Sequence, residues 1–172
     1  ITVNAVNDAP TFDVSTTNIQ VDEDGALVTV NAFITNLHAI ESSDSIDRVT
    51  LNIALNDYSM FKILPHLVDH VDDDQARDLR YQPTDNLNVA SIATIDVVVE
   101  DDGGATTTKT FTITVNPVND EPEFAISDQQ ATEDVTHTVV FSVDDEEGPV
   151  SEFEYGFVVS NLSLFNQDAS GF

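Results

Sequence analysis

The sequence predicts an all-β protein: an antiparallel β-sandwich of about seven strands, followed by part of a second copy of the same pattern. Three observations predict it. Apolar residues alternate with polar ones at a period of two in segment after segment. Asp-, Asn-, Gly- and Pro-rich stretches separate those segments. A twelve-residue phrase also occurs twice, as ITVNAVNDAPTF at 1–12 and ITVNPVNDEPEF at 113–124, an offset of 112 residues.

The elements follow in order. In each phrase the proline fixes φ and ends pairing, and the phenylalanine two residues on seats a new first strand in its core. ALVTVNAFI at 26–34 is the next strand, then RVTLNIAL at 48–55, with Val49, Leu51, Ile53 and Leu55 on one face. MFKIL at 60–64 and DLRYQP at 78–83 read the same way, with Tyr81 and Pro83 as core and turn residues. In SIATIDVVVE, Ala93, Ile95, Val97 and Val99 share a face; in TTTKTFTITVN, Phe111, Ile113 and Val115 alternate with threonines. Between these two runs Asp101-Asp102-Gly103-Gly104 is a turn suited to antiparallel neighbours. The sequence leaves room for one short helical turn, in NLHAIESSDS (36–45) or LPHLVDHVDDDQ (64–75). Helix patterns between successive strands are absent, which excludes a doubly wound α/β fold and leaves an immunoglobulin-like sandwich.

The second copy extends beyond Phe124. ATEDVTHTVVFSVDDEEG parallels VDEDGALVTVNAFI, matching Glu133-Asp134 to Glu23-Asp24. SNLSLF at 160–165 parallels NDYSMF at 56–61, so the offset falls to 104 and the first copy carries extra residues, assigned to its TNLHAIESSDS loop. Residues 1–9 are then the last strand and linker of a preceding repeat, 10–118 a complete repeat, and 119–172 a linker and the first half of a following one. Half a sandwich buries too little surface to be stable alone. Phe153, Tyr155, Phe157 and Val159 alternate and want a facing sheet, so strand exchange or dimerisation through 119–172 is expected.

Composition narrows the function. Acidic residues number 32 against 5 basic ones, a formal net charge of −27. That excludes nucleic acid, whose phosphates demand a Lys/Arg footprint, and anionic membrane surfaces. Apolar residues are 41% of the chain, enough for a core. No cysteine is present, which removes disulfides and Cys-based metal sites. No apolar run reaches membrane-spanning length, so membrane insertion is not expected. Crowded carboxylates repel one another, and either divalent cations or a saline habitat must offset them.

The residues carry a family resemblance. EDG at 23–25, LRYQP at 79–83, VVVEDDGG at 97–104 and ITVNPVNDEP at 113–122 occur in the order found in bacterial cadherin-like tandem repeats. The sequence resembles these dystroglycan-type and related immunoglobulin-like modules of very large surface or secreted proteins, RTX-type adhesins among them. It departs from the pattern in two places. Ala90 stands where such repeats often carry glycine, and VND-x-P is one residue shorter than the animal cadherin linker Asn-Asp-Asn-Ala-Pro. The resemblance implies a secreted or bacterial cell-surface location, neighbouring repeats of the same chain as partners, and a cell-surface glycan or protein target reached through other domains.

Calcium takes six to eight oxygen ligands from carboxylates, amides and backbone carbonyls. Sandwich topology sends Asn7, Asp8, Asp44, Asp47, Asp101 and Asp102 to the end where the chain enters. It sends Glu23, Asp24, Asp85, Asn119, Asp120, Asp144 and Asp145 to the junction where it leaves. Similar positions supply interdomain calcium in cadherins, and the resemblance implies the same use here. The alternative is that these are solvated turn residues, since Asp and Asn populate turns for conformational reasons. VDHVDDDQ at 68–75 lacks the order of an EF-hand loop and reads as a solvated acidic loop. His66 and His70 stand four apart, but HLVDH lacks the Glu of a zinc-protease helix and follows Pro65.

Nucleophile-elbow, phosphate-loop and dinucleotide motifs are missing, and the chain has no Trp and three Tyr, which weakens a stacking carbohydrate cleft. The reading is a non-catalytic spacer stiffened by calcium. Its alternative is a glycan- or protein-binding module of an adhesin or a secreted polysaccharide-degrading enzyme.

Overall fold

The alternating segments become strands, and the face each presents to the core follows the apolar set. The computed structural model describes residues 1–2, 6–40, 44–132, 135–145, 148, 154 and 156. The chain divides into two units, Ile1–Asp120 and Glu121–Phe172.

In the first unit the strands are β1 (Thr11–Val14), β2 (Asn18–Asp22), β3 (Val28–His38), β4 (Ile46–Ile53), β5 (Phe61–Asp69), β6 (Arg77–Pro83), β7 (Ser91–Asp101) and β8 (Thr106–Asn116). They form two four-stranded sheets, ordered β1-β3-β6-β5 and β2-β8-β7-β4. The predicted first strand is split between them. β1 pairs antiparallel with β3, the chain crosses over, and β2 pairs parallel with β8. A strand that switches sheets contributes an edge to both layers. The result is an all-β sandwich of the immunoglobulin/cadherin-like kind.

The core lies between the layers. Ala93 and Ile95 of β7 pair with Ile113 and Phe111 of β8; with Val97, Val99 and Val115 they are fully buried, and Phe33, Leu79 and Tyr81 join the same core from the other sheet. Phe33 packs edge-on to Phe111 with ring centroids 4.7 Å apart, a geometry aromatic pairs favour. Phe12 is buried as expected, and Lys109 lies across its ring while its ammonium reaches the Phe12 carbonyl and, at 3.2 Å, Asp13. β1 is thereby latched to β8.

Strict alternation fails in the middle of β3, with a physical cause. Val28, Val30 and Ala32 point inward, yet Phe33 and Ile34 are both fully buried. Ala32 has φ of 47°, and the pairing with β6 shifts register between Val30 and Ile34. This is a β-bulge, which inserts a residue and reverses the phase of those that follow.

Two expectations are corrected. The described parts of those two segments hold no helix: β3 continues to His38 and β5 to Asp69, and beyond β5 the Ala76 N–H closes a turn on Asp73 O at 3.2 Å. The helical turn is instead a 3₁₀ turn at Leu55–Met60, closed by Asp57 N–H to Ala54 O at 3.0 Å. It carries the chain from β4, an edge of one sheet, to β5, an edge of the other. Leu55, placed by alternation on the inner face of β4, consequently lies past the strand end and is 81% exposed.

In the second unit, β9 (Glu123–Ile126) pairs antiparallel with β10 (Phe141–Asp144). Phe124 faces Phe141 at 5.5 Å between ring centroids but stays 53% exposed, unlike buried Phe12. Two strands cannot bury an aromatic ring from both sides. Glu133-Asp134, the SNLSLF segment and the alternating Phe153, Tyr155, Phe157 and Val159 lie outside the described residues.

Candidate functional site

Each end of the first unit is organised by one buried carboxylate. At the end where the chain enters, Asp101 closes β7 and is 1% exposed. Its Oδ1 accepts the Ala105 N–H at 2.9 Å, pinning the β7–β8 turn. The Asn7 amide donates to both its oxygens, at 3.1 and 3.3 Å. Gly103 gives the amide its room, because a Cβ there would overlap the Asn7 side chain. Next to this knot, Asp102 N–H bonds Ser45 O at 3.0 Å and Ser45 Oγ donates to Asp102 Oδ2 at 3.2 Å. The β3–β4 loop is so drawn to the β7–β8 turn, with half-buried Asp44 beside Ser45. Asp8 and Asp47 are exposed.

At the end where the chain leaves, Glu23 is 3% exposed. Its Oε1 accepts the Val118 N–H at 2.9 Å and its Oε2 accepts the Leu87 N–H. The Glu23 N–H also bonds Asn116 O at 3.0 Å. One side chain therefore joins the β2–β3 turn, the β6–β7 loop and the segment leaving β8. Asp24 turns the chain with φ of 58° and its N–H points to Thr84 O at 3.4 Å. Asp85 is exposed and forms an ion pair with Lys62 at 2.7 Å, which occupies it differently from its expected role as a junction ligand. Asn119 bonds the Asp120 carbonyl at 3.0 Å. In the second unit Asp144 is an exposed residue of β10, and Asp145 Oδ1 accepts the Gly148 N–H at 2.8 Å.

The structure thus brings Asn7 to Asp101, brings Asp102 to the β3–β4 loop, and brings Glu23 to the loop after β6 and to the exit. Among the described residues, no three His, Cys, Asp or Glu side chains are grouped to hold a metal. The donor chemistry at both ends is carboxylate, amide and backbone oxygen, which suits a hard cation such as calcium. The Asn7 amide presents its nitrogen to Asp101, and offering its oxygen needs a half-turn about a soft torsion.

One buried acid lay outside the sequence expectations. Asp78 on β6 is 4% exposed, and its Oδ1 accepts the bulged Ala32 N–H at 2.8 Å and a bond from His70 Nδ1 at 2.6 Å. Burial pushes its carboxyl up, but the Ala32 and His70 bonds and the nearby charges of His70 and Arg80 hold it below the ordinary value. Asp78 sits where strand alternation puts a solvated residue, so periodicity conceals it. Inside the core, the Tyr81 hydroxyl is buried without a hydrogen-bond partner among the described residues, and burial raises its pKa.

No protein-family model matches the chain. No curated protein matches it either. Among solved structures it is similar to protocadherin gamma C5 EC1-3, with 15% identity and a TM-score of 0.44, covering 81% of this chain and 46% of that one. Protocadherin gamma B7 extracellular cadherin domains 1-4 align at 20% identity and TM-score 0.44, covering 83% and 35%. The protocadherin gammaB4 extracellular domain aligns at 14% identity and TM-score 0.42, covering 83% and 23%. The chain spans less than half the length of each. Its assignment as a sandwich rests on its own strand order and pairing. No helix among the described residues is long and apolar enough to cross a membrane.

Proposed function

We propose that residues 10–118 are one complete repeat, flanked by the end of a preceding repeat at 1–9 and by a linker and the start of another at 119–172. We read the chain as a non-catalytic, calcium-stiffened spacer of a large extracellular, adhesin-like bacterial protein, secreted or held at the cell surface. The observation that carries this reading is the pair of buried carboxylates, Asp101 and Glu23, each tied to the segment by which the chain enters or leaves the sandwich. A group that fixes where the chain exits also fixes where the next module begins.

Asn7, Asp8, Asp44, Asp101 and Asp102 are the residues to hold calcium at the incoming end, with Asp47 at the rim. Glu23, Asp24, Asn119 and Asp120 are those at the outgoing end, to be joined by Asp85, Asp144 and Asp145. Bound calcium supplies positive charge that offsets carboxylate repulsion and bridges oxygens from successive modules. Without it, the same carboxylates repel and the joint flexes. Affinity in the range of ~0.1–1 mM is expected for an extracellular module.

The test is a calcium titration at constant ionic strength with a chelator control, read by melting temperature and small-angle scattering. Calcium should raise the melting temperature and narrow the distribution of particle dimensions, and matched monovalent salt should do neither to the same extent. No change in either readout at millimolar calcium sinks the proposal.

A further inference from the structure

The chain holds two Asp-Gly pairs, Asp24-Gly25 and Asp102-Gly103, and no Asn-Gly. An aspartyl side chain can close onto the backbone nitrogen of the residue that follows it. A glycine in that place leaves the nitrogen uncovered by any Cβ, so backbone and side chain approach freely. Both pairs share this local chemistry, and the fold sets them apart.

At Asp102-Gly103 the peptide is loosely held. Gly104 N–H bonds Asp101 O at 3.1 Å, closing a β-turn with Asp102 and Gly103 at its centre. Both central residues are exposed, and the Gly103 N–H makes no hydrogen bond among the described residues. Turn types I and II differ by rotation of the central peptide, and a glycine at the third position permits either. The peptide therefore turns its nitrogen toward the Asp102 carboxyl while the closing bond stays. Ser45 Oγ donates to Asp102 Oδ2 at 3.2 Å, which draws electron density from the carboxyl carbon and favours attack on it. At Asp24-Gly25 other segments hold both sides. Asp24 has a left-handed φ of 58° and its N–H points to Thr84 O at 3.4 Å. Gly25 is half-buried, and its carbonyl accepts the Gln82 amide at 3.2 Å.

We infer that Asp102, in the β7–β8 turn, is a self-modification site at which the folded chain converts aspartate to isoaspartate. Gly103 N forms a bond to Asp102 Cγ, and the amide proton leaves with the carboxyl O–H as one water, giving a five-membered succinimide. A solvent water then adds to one of the two ring carbonyls that flank Gly103 N. Addition at Cγ restores aspartate. Addition at the backbone carbonyl carbon breaks its bond to Gly103 N, and the main chain then runs through Cβ and Cγ. Mass and charge are unchanged, and solvent water is the sole co-reactant. The turn gains one methylene, and the carboxylate that accepts from Ser45 moves onto the main chain. The β3–β4 loop thereby loses a tie to the turn, beside the knot of Asn7 and Asp101. The step does not depend on calcium.

The test incubates the full chain with chelator at physiological temperature in heavy-oxygen water. Peptide mapping with electron-transfer fragmentation then tells isoaspartate from aspartate at each position. Isoaspartate should accumulate at Asp102 at least about fivefold faster than at Asp24, the factor that one ordinary hydrogen bond is worth in rate. Each converted residue should carry one heavy oxygen. In denaturant, where neither pair is held, the two should react alike. Asp102→Glu has a side chain too long for the five-membered ring and should remove the signal there while leaving that at Asp24, with circular dichroism checking that the variant folds. Isoaspartate appearing first at Asp24, equal rates at both positions in the folded chain, or the same preference for Asp102 in denaturant each overturn the inference.

Discussion

The two ends of the sandwich solve one problem with different parts. Glu23 reaches two backbone N–H groups from segments 64 and 95 residues away in sequence. Asp101 holds one backbone N–H four residues on and one side-chain amide. A backbone donor has no rotamer to change, so the Glu23 knot fixes the outgoing chain as part of the fold. The Asn7 amide can rotate away, so the Asp101 knot fixes the incoming chain only while that torsion holds. The outgoing chain is held by backbone donors, and the incoming chain by a side-chain torsion that can turn.

The largest expected effect is Glu23→Ala. It leaves two N–H groups without their charged acceptor, and the loss of stability should be about 3 kcal/mol, measured by denaturant unfolding. A loss below roughly 1 kcal/mol, the worth of one ordinary hydrogen bond, would reduce Glu23 to a turn residue. Asp101→Ala should cost about 2 kcal/mol, since one of its partners is an exposed amide that water can solvate. Asn7→Ala should cost under about 1 kcal/mol, so equal effects of Asn7→Ala and Glu23→Ala would erase the contrast between the ends.

Gly103→Ala sharpens the same point, because the new methyl meets the flexible end of Asn7. It should free residues 1–9 to proteolysis while leaving the unfolding midpoint nearly unchanged. A large fall in the midpoint would show that Asn7 is structural.

Between the two ends, Asp78 reports on the bulge. Its carboxyl is held below the ordinary value by the folded state, so its contribution is present above the unfolded carboxylate pKa and is lost as pH falls through the folded value. Asp78→Asn should flatten the acid limb of the stability profile, and an identical acid limb would remove that role. The smallest effect is expected for Tyr81→Phe, remote from both knots. Removing a buried hydroxyl that has no partner should leave stability unchanged or raise it by up to about 1 kcal/mol. A clear loss would reveal a partner for that hydroxyl.

The strands and the inward faces of β7 and β8 were legible from sequence, because a period of two follows from the pleat itself. Leu55 was misplaced because alternation carries no signal for the point at which an edge strand ends. The bulge at Ala32 was hidden for a related reason: one inserted residue changes the phase without changing composition. Of the site residues, Asp101 and Glu23 could be sent to the correct ends by topology, but their burial and their partners could not be read. Leu87 and Val118 contribute through backbone N–H groups, which every non-proline residue has, so no side-chain pattern marks them.

By itself the sequence determined the all-β class, the doubled phrase, the acidic balance and the apolar faces, since each depends on local covalent geometry or can be counted along the chain. Only the tertiary structure decided that the first strand splits between two sheets. It also decided that Glu23, Asp78 and Asp101 are the buried carboxylates among many exposed ones. These depend on which distant segments the sandwich brings within hydrogen-bonding reach, and a hydrogen bond is decided within a few tenths of an ångström.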